Sequence, residues 1–315
     1  MRIAVGIATV GRPRLLCAVL EELARQTRPA DRLVVCAPAA DDVAGVSPGP
    51  AVEFIVGPRG LTRQRNAIVE RLDNFDIVQF FDDDFLPAPD YLAEIERVFA
   101  TRPDVAMVTG TVIADGIIGP GLDIDEARRR LVEHVSRDAG GREFAAVSNG
   151  YGCNMAVRLQ AARIAQCRFD ERLPLYGWLE DVDFSRQLAR HGQIVKVSAA
   201  QGIHLGVKLG RQSGVRLGYS QIANPIYLSR KGTCPWPQAL QMMSRNIAMN
   251  LARSLRPEPY ISAVSKRVTP SLTARRTMAS ASRLAYGSPY PHSLDPNCQV
   301  PRPILEIFLP VSTSR

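Results

Sequence analysis

The chain has 315 residues, 46% hydrophobic and 22% charged, a composition that excludes wholesale disorder and suits one large α/β domain or two modest ones. Its net charge of +8 is uneven: residues 205–315 carry 15 Lys/Arg against 3 Asp/Glu, and the preceding part 24 against 28. The basic last third points to a polyanionic partner such as a membrane surface, a phosphorylated substrate or nucleic acid.

No run reaches the roughly 18 apolar residues needed to span a bilayer; the longest candidate, 105–119, is interrupted by Asp115. The opening IAVGIATV is too short for a secretory signal and reads as a buried first strand. The six cysteines, Cys17, Cys36, Cys153, Cys167, Cys234 and Cys298, show no CxxC and no paired spacing, so a reducing cytoplasm is the expected compartment.

After that strand, Leu15, Leu16, Val19, Leu20 and Leu23 fall on one face of a helix. Leu33 to Cys36 and Val52 to Val56 read as strands separated by Pro48-Gly49-Pro50. A helix over 61–72, a strand over 77–81, a helix over 89–99 and a strand over 105–108 follow. Such alternation predicts an α/β fold with a mostly parallel sheet flanked by helices, whose ligands gather beyond the carboxyl ends of the strands. A further helix is predicted from Asp183 to Arg190, stopping at Gly192. Beyond Pro235-Trp236-Pro237, Leu240, Met243, Ile247, Leu251 and Leu255 recur at helical spacing. The expected organisation is therefore a catalytic-type domain over 1–232 and a basic, mainly helical extension over 233–315.

Three places carry chemistry. In VQFFDDDFLP an apolar strand ends in Asp82, Asp83 and Asp84, like charges that a hard divalent cation would reconcile. An isolated acidic triplet is as readily a solvated turn; its place at a strand end favours the cation. In WLEDVD, Asp181 or Asp183 suits a helix N-cap, and beside the triplet it is also a candidate general base. In GIHLG, His204 stands between glycines; a satisfied structural histidine is the commoner case, although glycines permit close backbone approach.

Taken in order, IAVGIATVGRPRLL, GLTRQRNAIVERL, VQFFDDDFLPAPDYL, FDERLPLYGWLEDVDFSRQLARHG and YSQIANPIYLSRKG resemble segments of the family-2 glycosyltransferases, inverting enzymes of the GT-A (Rossmann-like) fold common in bacterial polysaccharide assembly. The resemblance covers residues 1–232. It implies that Asp82 and Asp84 form the DXD pair, with Asp84 on a Mn2+ or Mg2+ ion and Asp82 or Asp83 near the ribose. It implies that Asp181 is the catalytic base, with Glu180 its neighbour in the acceptor site. His204, 23 residues after Asp181, matches a further metal ligand of some members. Thr9, Arg12 and Arg65 fall where the nucleotide is held, Asn154 in a loop facing the donor sugar, and Lys208 and Arg211 at positions suited to the diphosphate. The implied donor is a nucleotide-diphosphate sugar of UDP, dTDP or GDP type, and the implied acceptor a saccharide or lipid-linked hydroxyl. Many members also end the second strand in an aspartate that binds the base; here that strand runs Val35-Cys36-Ala37-Pro38, and Asp41 and Asp42 come later.

The basic tail adds an expected peripheral contact with anionic membrane, at the inner face of the cytoplasmic membrane, unless the Leu240–Leu255 stripe packs on the core. Nucleic acid is not an expected partner, because few aromatics interleave with the tail's basic residues. Two rivals are a sugar-phosphate nucleotidyltransferase, which should open on a Gly-rich basic loop absent from IATVGRPRLL, and a catalytically silent nucleotide-sugar binder, in which Asp181→Asn would change nothing.

Overall fold

Among the described residues nine strands form one mixed sheet, and six of them run in the same direction, so their carboxyl ends share one edge. The computed structural model describes residues 1–255 apart from 48, 50, 138–142, 174–175 and 208–213. In chain order the elements are β1 (Ile3–Ala8), α1 (Pro13–Ala24), β2 (Arg32–Ala37), β3 (Val52–Val56), α2 (Leu61–Val69), β4 (Ile77–Asp82), β5 (Phe85–Pro87), α3 (Tyr91–Thr101), β6 (Val105–Asp115), α4 (Ile124–Arg137), β7 (Phe144–Ala146), β8 (Asn154–Arg158), α5 (Leu159–Ile164), α6 (Glu180–Leu188), β9 (Gln193–His204), α7 (Gly214–Lys231) and α8 (Trp236–Leu255).

The sheet order is β3-β2-β1-β4-β8-β6-β9-β5, with β7 pairing β9. The first four strands are parallel, and β8 runs antiparallel between β4 and β6. Because helices cover both faces, β1 and β4 are nearly continuous buried apolar runs rather than alternating ones. One core lies between the sheet and α1, α3 and α4, built on residues such as Leu16, Val19, Phe81, Tyr91 and Ile95. The other lies under α2, α5 and α6 and includes Ile68, Phe80, Phe169 and Phe184, the last two rings stacked 4.2 Å apart.

Two boundaries differ from expectation in ways that matter. The strand predicted over 105–108 continues to Asp115, because β6 stays paired with the similarly long β9. The helix predicted from Asp183 begins at Glu180, so Glu180 and Asp181 occupy its first turn, where carboxylates face the positive end of the helix dipole. The preceding Leu179 holds a left-handed conformation, φ 73°, costly for a leucine and the kind of backbone that gathers at functional sites.

All described residues belong to one compact unit, Met1–Arg267. Within it α8 contributes Ala239 to a small cluster with Leu173, Leu228 and Cys234, and Met243 is buried. Of the expected stripe, Leu240, Ile247 and Leu251 are instead 49–63% exposed; the side chain of Leu255 lies outside the described residues. Among those residues no helix is long and apolar enough to cross a membrane.

Candidate active site

Strand β4 delivers Asp82 to the carboxyl edge, and the chain then turns through Asp83 and Asp84 into the short strand β5, which hooks onto the end of β9. The three carboxylates face different main partners, although Arg12 lies beside both Asp83 and Asp84. Asp83 is fully buried: Thr9, just past the end of β1, donates its hydroxyl to Oδ2 at 2.5 Å, and Arg12 reaches Oδ1 with Nη2 at 2.5 Å. Burial pushes Asp83 up to about 7, with Arg12 and Thr9 opposing and the neighbouring carboxylates reinforcing the shift. Asp84 takes the Val207 N–H on Oδ2 at 3.0 Å and stands 3.5 Å from His204 Nε2 through Oδ1. Burial opposes its charge, but His204 and Arg12 outweigh that and hold its carboxyl below the usual range.

Asp82 turns to Arg65, which donates from Nη2 at 3.0 Å. Arg65 is 1% exposed and packs against the edge-to-face pair of Phe80 and Phe169, each ring centroid 5.5 Å from its guanidinium. It also donates to Glu180 Oε1 at 2.6 Å and to the Gly152 carbonyl at 2.7 Å. One buried cation thus ties the triplet on β4 to the first turn of α6. The Gly152 N–H in turn donates to Asp181 Oδ2 at 3.0 Å, and Val182 N–H to Oδ1 at 2.8 Å. Burial raises Asp181 despite these two donors, which makes it a stronger base than a solvated carboxylate. Glu180 is pushed up to about 8 by burial against the pull of Arg65, and its Oε2 is buried with no hydrogen-bond partner.

Asp82, Asp84 and His204 present ligand atoms all within 4.8 Å of one another, a set of two carboxylates and an imidazole compatible with Mn2+ or Mg2+. Burial works against a charge on His204, yet the carboxylates of Asp115 and Asp84 outweigh it and push the imidazole up to about 10.

Thr9, Arg12, the three aspartates and His204 therefore meet at one edge, and Arg65 links them to Glu180 and Asp181. Two residues sit elsewhere than expected. Asn154 is the first residue of β8 rather than part of an open loop; it is wholly buried and its Oδ1 accepts from the Thr109 hydroxyl at 2.6 Å. Arg65 lies behind the acidic edge, fully engaged with protein groups. Lys208 and Arg211 lie outside the described residues. Of the late acids after β2, Asp42 caps the Ala39 N–H at 3.1 Å, and a Cβ on Gly11 would lie 3.6 Å from its Oδ1, so it borders the turn after β1. Sequence reading missed Asp115 and Tyr151, which surround His204; the signal was an acid closing a long apolar run, the same pattern as at Asp82.

The sequence profile described as "Glycosyltransferase like family 2" matches residues 1–201, well over half of the chain. The chain belongs to that family. A search of curated proteins gave no match. Among solved structures the chain is similar to the mannosyltransferase PcManGT from Pyrobaculum calidifontis in complex with GDP-Man and Mn2+, with TM-score 0.51 and 17% identity over 84% of this chain and 78% of that one. It is also similar to S. aureus TarS 1-349, with TM-score 0.51 and 12% identity over 82% and 76% of the two chains. GalNAc-T7 with UDP, GalNAc and Mn2+ aligns with TM-score 0.50 and 13% identity over 74% of this chain and 51% of that one. At these identities the likeness is one of fold, and it makes the sheet a GT-A sheet.

Proposed function

We propose that this glycosyltransferase is an inverting, metal-dependent enzyme that moves a hexose from a nucleotide-diphosphate donor to a hydroxyl of a saccharide or lipid-linked acceptor, in cell-surface polysaccharide assembly. The observation that carries the reading is the single Arg65 guanidinium joining Asp82 to Glu180, which puts the acidic triplet and Asp181 at one site. In this reading Asp82, Asp84 and His204 hold Mn2+ or Mg2+, which when bound neutralises charge on the donor's diphosphate. The GDP-Man and Mn2+ bound to PcManGT and the UDP and Mn2+ bound to GalNAc-T7 support that assignment. Asp181 accepts the proton of the acceptor hydroxyl as its oxygen bonds to the anomeric carbon. The bond from that carbon to the diphosphate oxygen breaks, and its electron pair leaves with the nucleotide. A single displacement of this kind inverts the anomeric centre. Glu180, held by Arg65, shapes the acceptor side, while Thr9 and Arg12 fix the turn after β1 where the nucleotide lies, with Asp83 beneath them. Lys208 and Arg211 complete the diphosphate site in this proposal, and Asn154 acts indirectly by fixing the start of β8.

The surplus of basic residues after 205 and the exposed Leu240, Ile247 and Leu251 support peripheral attachment to an anionic membrane, on its cytoplasmic side. The test of the central claim is Asp181→Asn. Transfer should fall by about 10² to 10⁴-fold, while the thermal shift produced by nucleotide with Mn2+ stays that of the parent. Unchanged turnover would remove Asp181 as the base, and a parent that binds nucleotide but transfers nothing would leave a nucleotide-sugar binder in place of an enzyme.

A further inference from the structure

Strands β6 and β9 reach the carboxyl edge together, and their last paired residues are Asp115 and His204. Both strands are followed by glycines whose missing side chains are what let the two backbones touch. A Cβ on Gly116 would fall on the Leu205 carbonyl oxygen, and one on Gly206, at φ +63°, would fall on the Gly116 carbonyl carbon. Main-chain bonds from Gly116 N–H to the His204 carbonyl and from Leu122 N–H to the Leu205 carbonyl, each 2.8 Å, fasten the crossing. The glycines around His204 thus serve to press it against the end of β6.

The crossing sets Asp115 Oδ1 2.8 Å from His204 Nδ1. The other oxygen of Asp115 accepts the Tyr151 hydroxyl at 2.8 Å, and the Ile117 N–H donates to Oδ1 at 2.9 Å, so the carboxylate is held from three sides. The Tyr151 ring also meets the imidazole edge to face, centroids 6.0 Å apart. With Nδ1 occupied by Asp115, the ring presents Nε2 toward Asp84.

We infer that Asp115, supported by Tyr151, is a positioning residue for the cation site: it fixes the His204 ring and its Nδ1–H tautomer so that Nε2 is available as a ligand beside Asp82 and Asp84. The general warrant is that a carboxylate behind a ligating histidine fixes both ring orientation and tautomer, and that losing it typically weakens metal binding 10- to 100-fold. The inference rests on the metal assignment made under the proposed function and adds to it a residue that itself would not touch the ion.

The test is a titration of the full chain with Mn2+ alone, free ion being counted by electron paramagnetic resonance. Asp115→Ala should weaken Mn2+ binding by about 10- to 100-fold. Asp115→Asn, whose amide oxygen can still accept from Nδ1, should recover part of the loss, and Tyr151→Phe should weaken binding by a few-fold. His204→Ala and Asp84→Asn report on the ligands themselves. The inference is overturned if Asp115→Ala, or Asp115→Asn and Tyr151→Phe together should the alanine variant not fold, bind Mn2+ within twofold of the parent while Asp84→Asn does not. It is overturned equally if His204→Ala leaves binding intact. An Asp84→Asn chain with undiminished binding, or a parent that binds no Mn2+, instead removes the metal assignment beneath it.

Discussion

Arg65 is the residue on which the geometry of the site turns. A guanidinium forks to two carboxylates and a carbonyl at once in a fixed plane, which the compact ammonium of a lysine does not match, and here the fork is buried against the paired rings of Phe80 and Phe169. Deleting one partner of a buried charge cluster costs about 3–5 kcal/mol, because the remaining charges keep their burial and lose their compensation. Arg65→Ala should therefore lower the urea midpoint by that equivalent, and Arg65→Lys should recover part of it. A fall of under about 1 kcal/mol in the alanine variant would mean that the cluster rearranges freely. Position in the sequence suggested that Arg65 contacts the donor, yet its partner Glu180 is 115 residues away, and nothing in GLTRQRN foretells that pairing. Asn66 is similar: its amide clasps the backbone of Phe169, donating at 2.9 Å and accepting at 3.0 Å, and so fixes the segment that leads to α6. By contrast the acids closing β4 and the acids of WLEDVD stand out as local patterns, although the pairing of Glu180 with Asp181 came only from the family resemblance.

At the scale of elements, α6 and α7 are bolted together by ions. Lys231, in the last turn of α7, donates to Asp183 at 2.6 Å and to Asp170 at 2.8 Å; Thr233 adds a bond to Asp183 at 2.7 Å, and Tyr227 one to Asp170 at 2.6 Å. Asp183, readable from sequence as a helix cap or a base, is thus an internal tie between helices. Burial opposes the charge on Asp170, but Arg172, Lys231 and Tyr227 outweigh it and hold its carboxyl far below the ordinary carboxylate range. A carboxylate depressed in the folded state stabilises above its unfolded value of about 4, and that contribution fades as pH falls below it. The stability gap between the parent and Asp170→Asn, measured by urea unfolding, should be level above about pH 5 and close steadily below pH 4; a gap independent of pH would show that folding leaves the acidity of Asp170 unchanged, so that Arg172, Lys231 and Tyr227 do not stabilise its charge. Apart from the three-residue β5, the strands of the first half could be read from their apolar runs, whereas β9 could not. Its sequence QIVKVSAAQGIH mixes Lys196, Ser198 and Gln201 into the run, since it bends away from β6 at register shifts and changes neighbours along its length.

For the molecule as a whole, binding only to the folded form should raise the thermal midpoint, so UDP, GDP and dTDP, each with and without Mn2+, will sort the donor class. One nucleotide is expected to act only together with the ion; a shift from nucleotide without ion would count against a metal-held diphosphate. Attachment to anionic vesicles should appear at low ionic strength and vanish toward 1 M salt, where screening falls to about 3 Å. Retention at high salt would point to the apolar row of α8 in place of charge. A last consequence concerns synthesis. Among the described residues β9 is the last strand in the chain, yet it is inserted between β6 and β5 and brings His204 to the acidic pocket. On the proposed metal assignment, a chain that stops short of β9 lacks both His204 and the strand that joins β6 to β5.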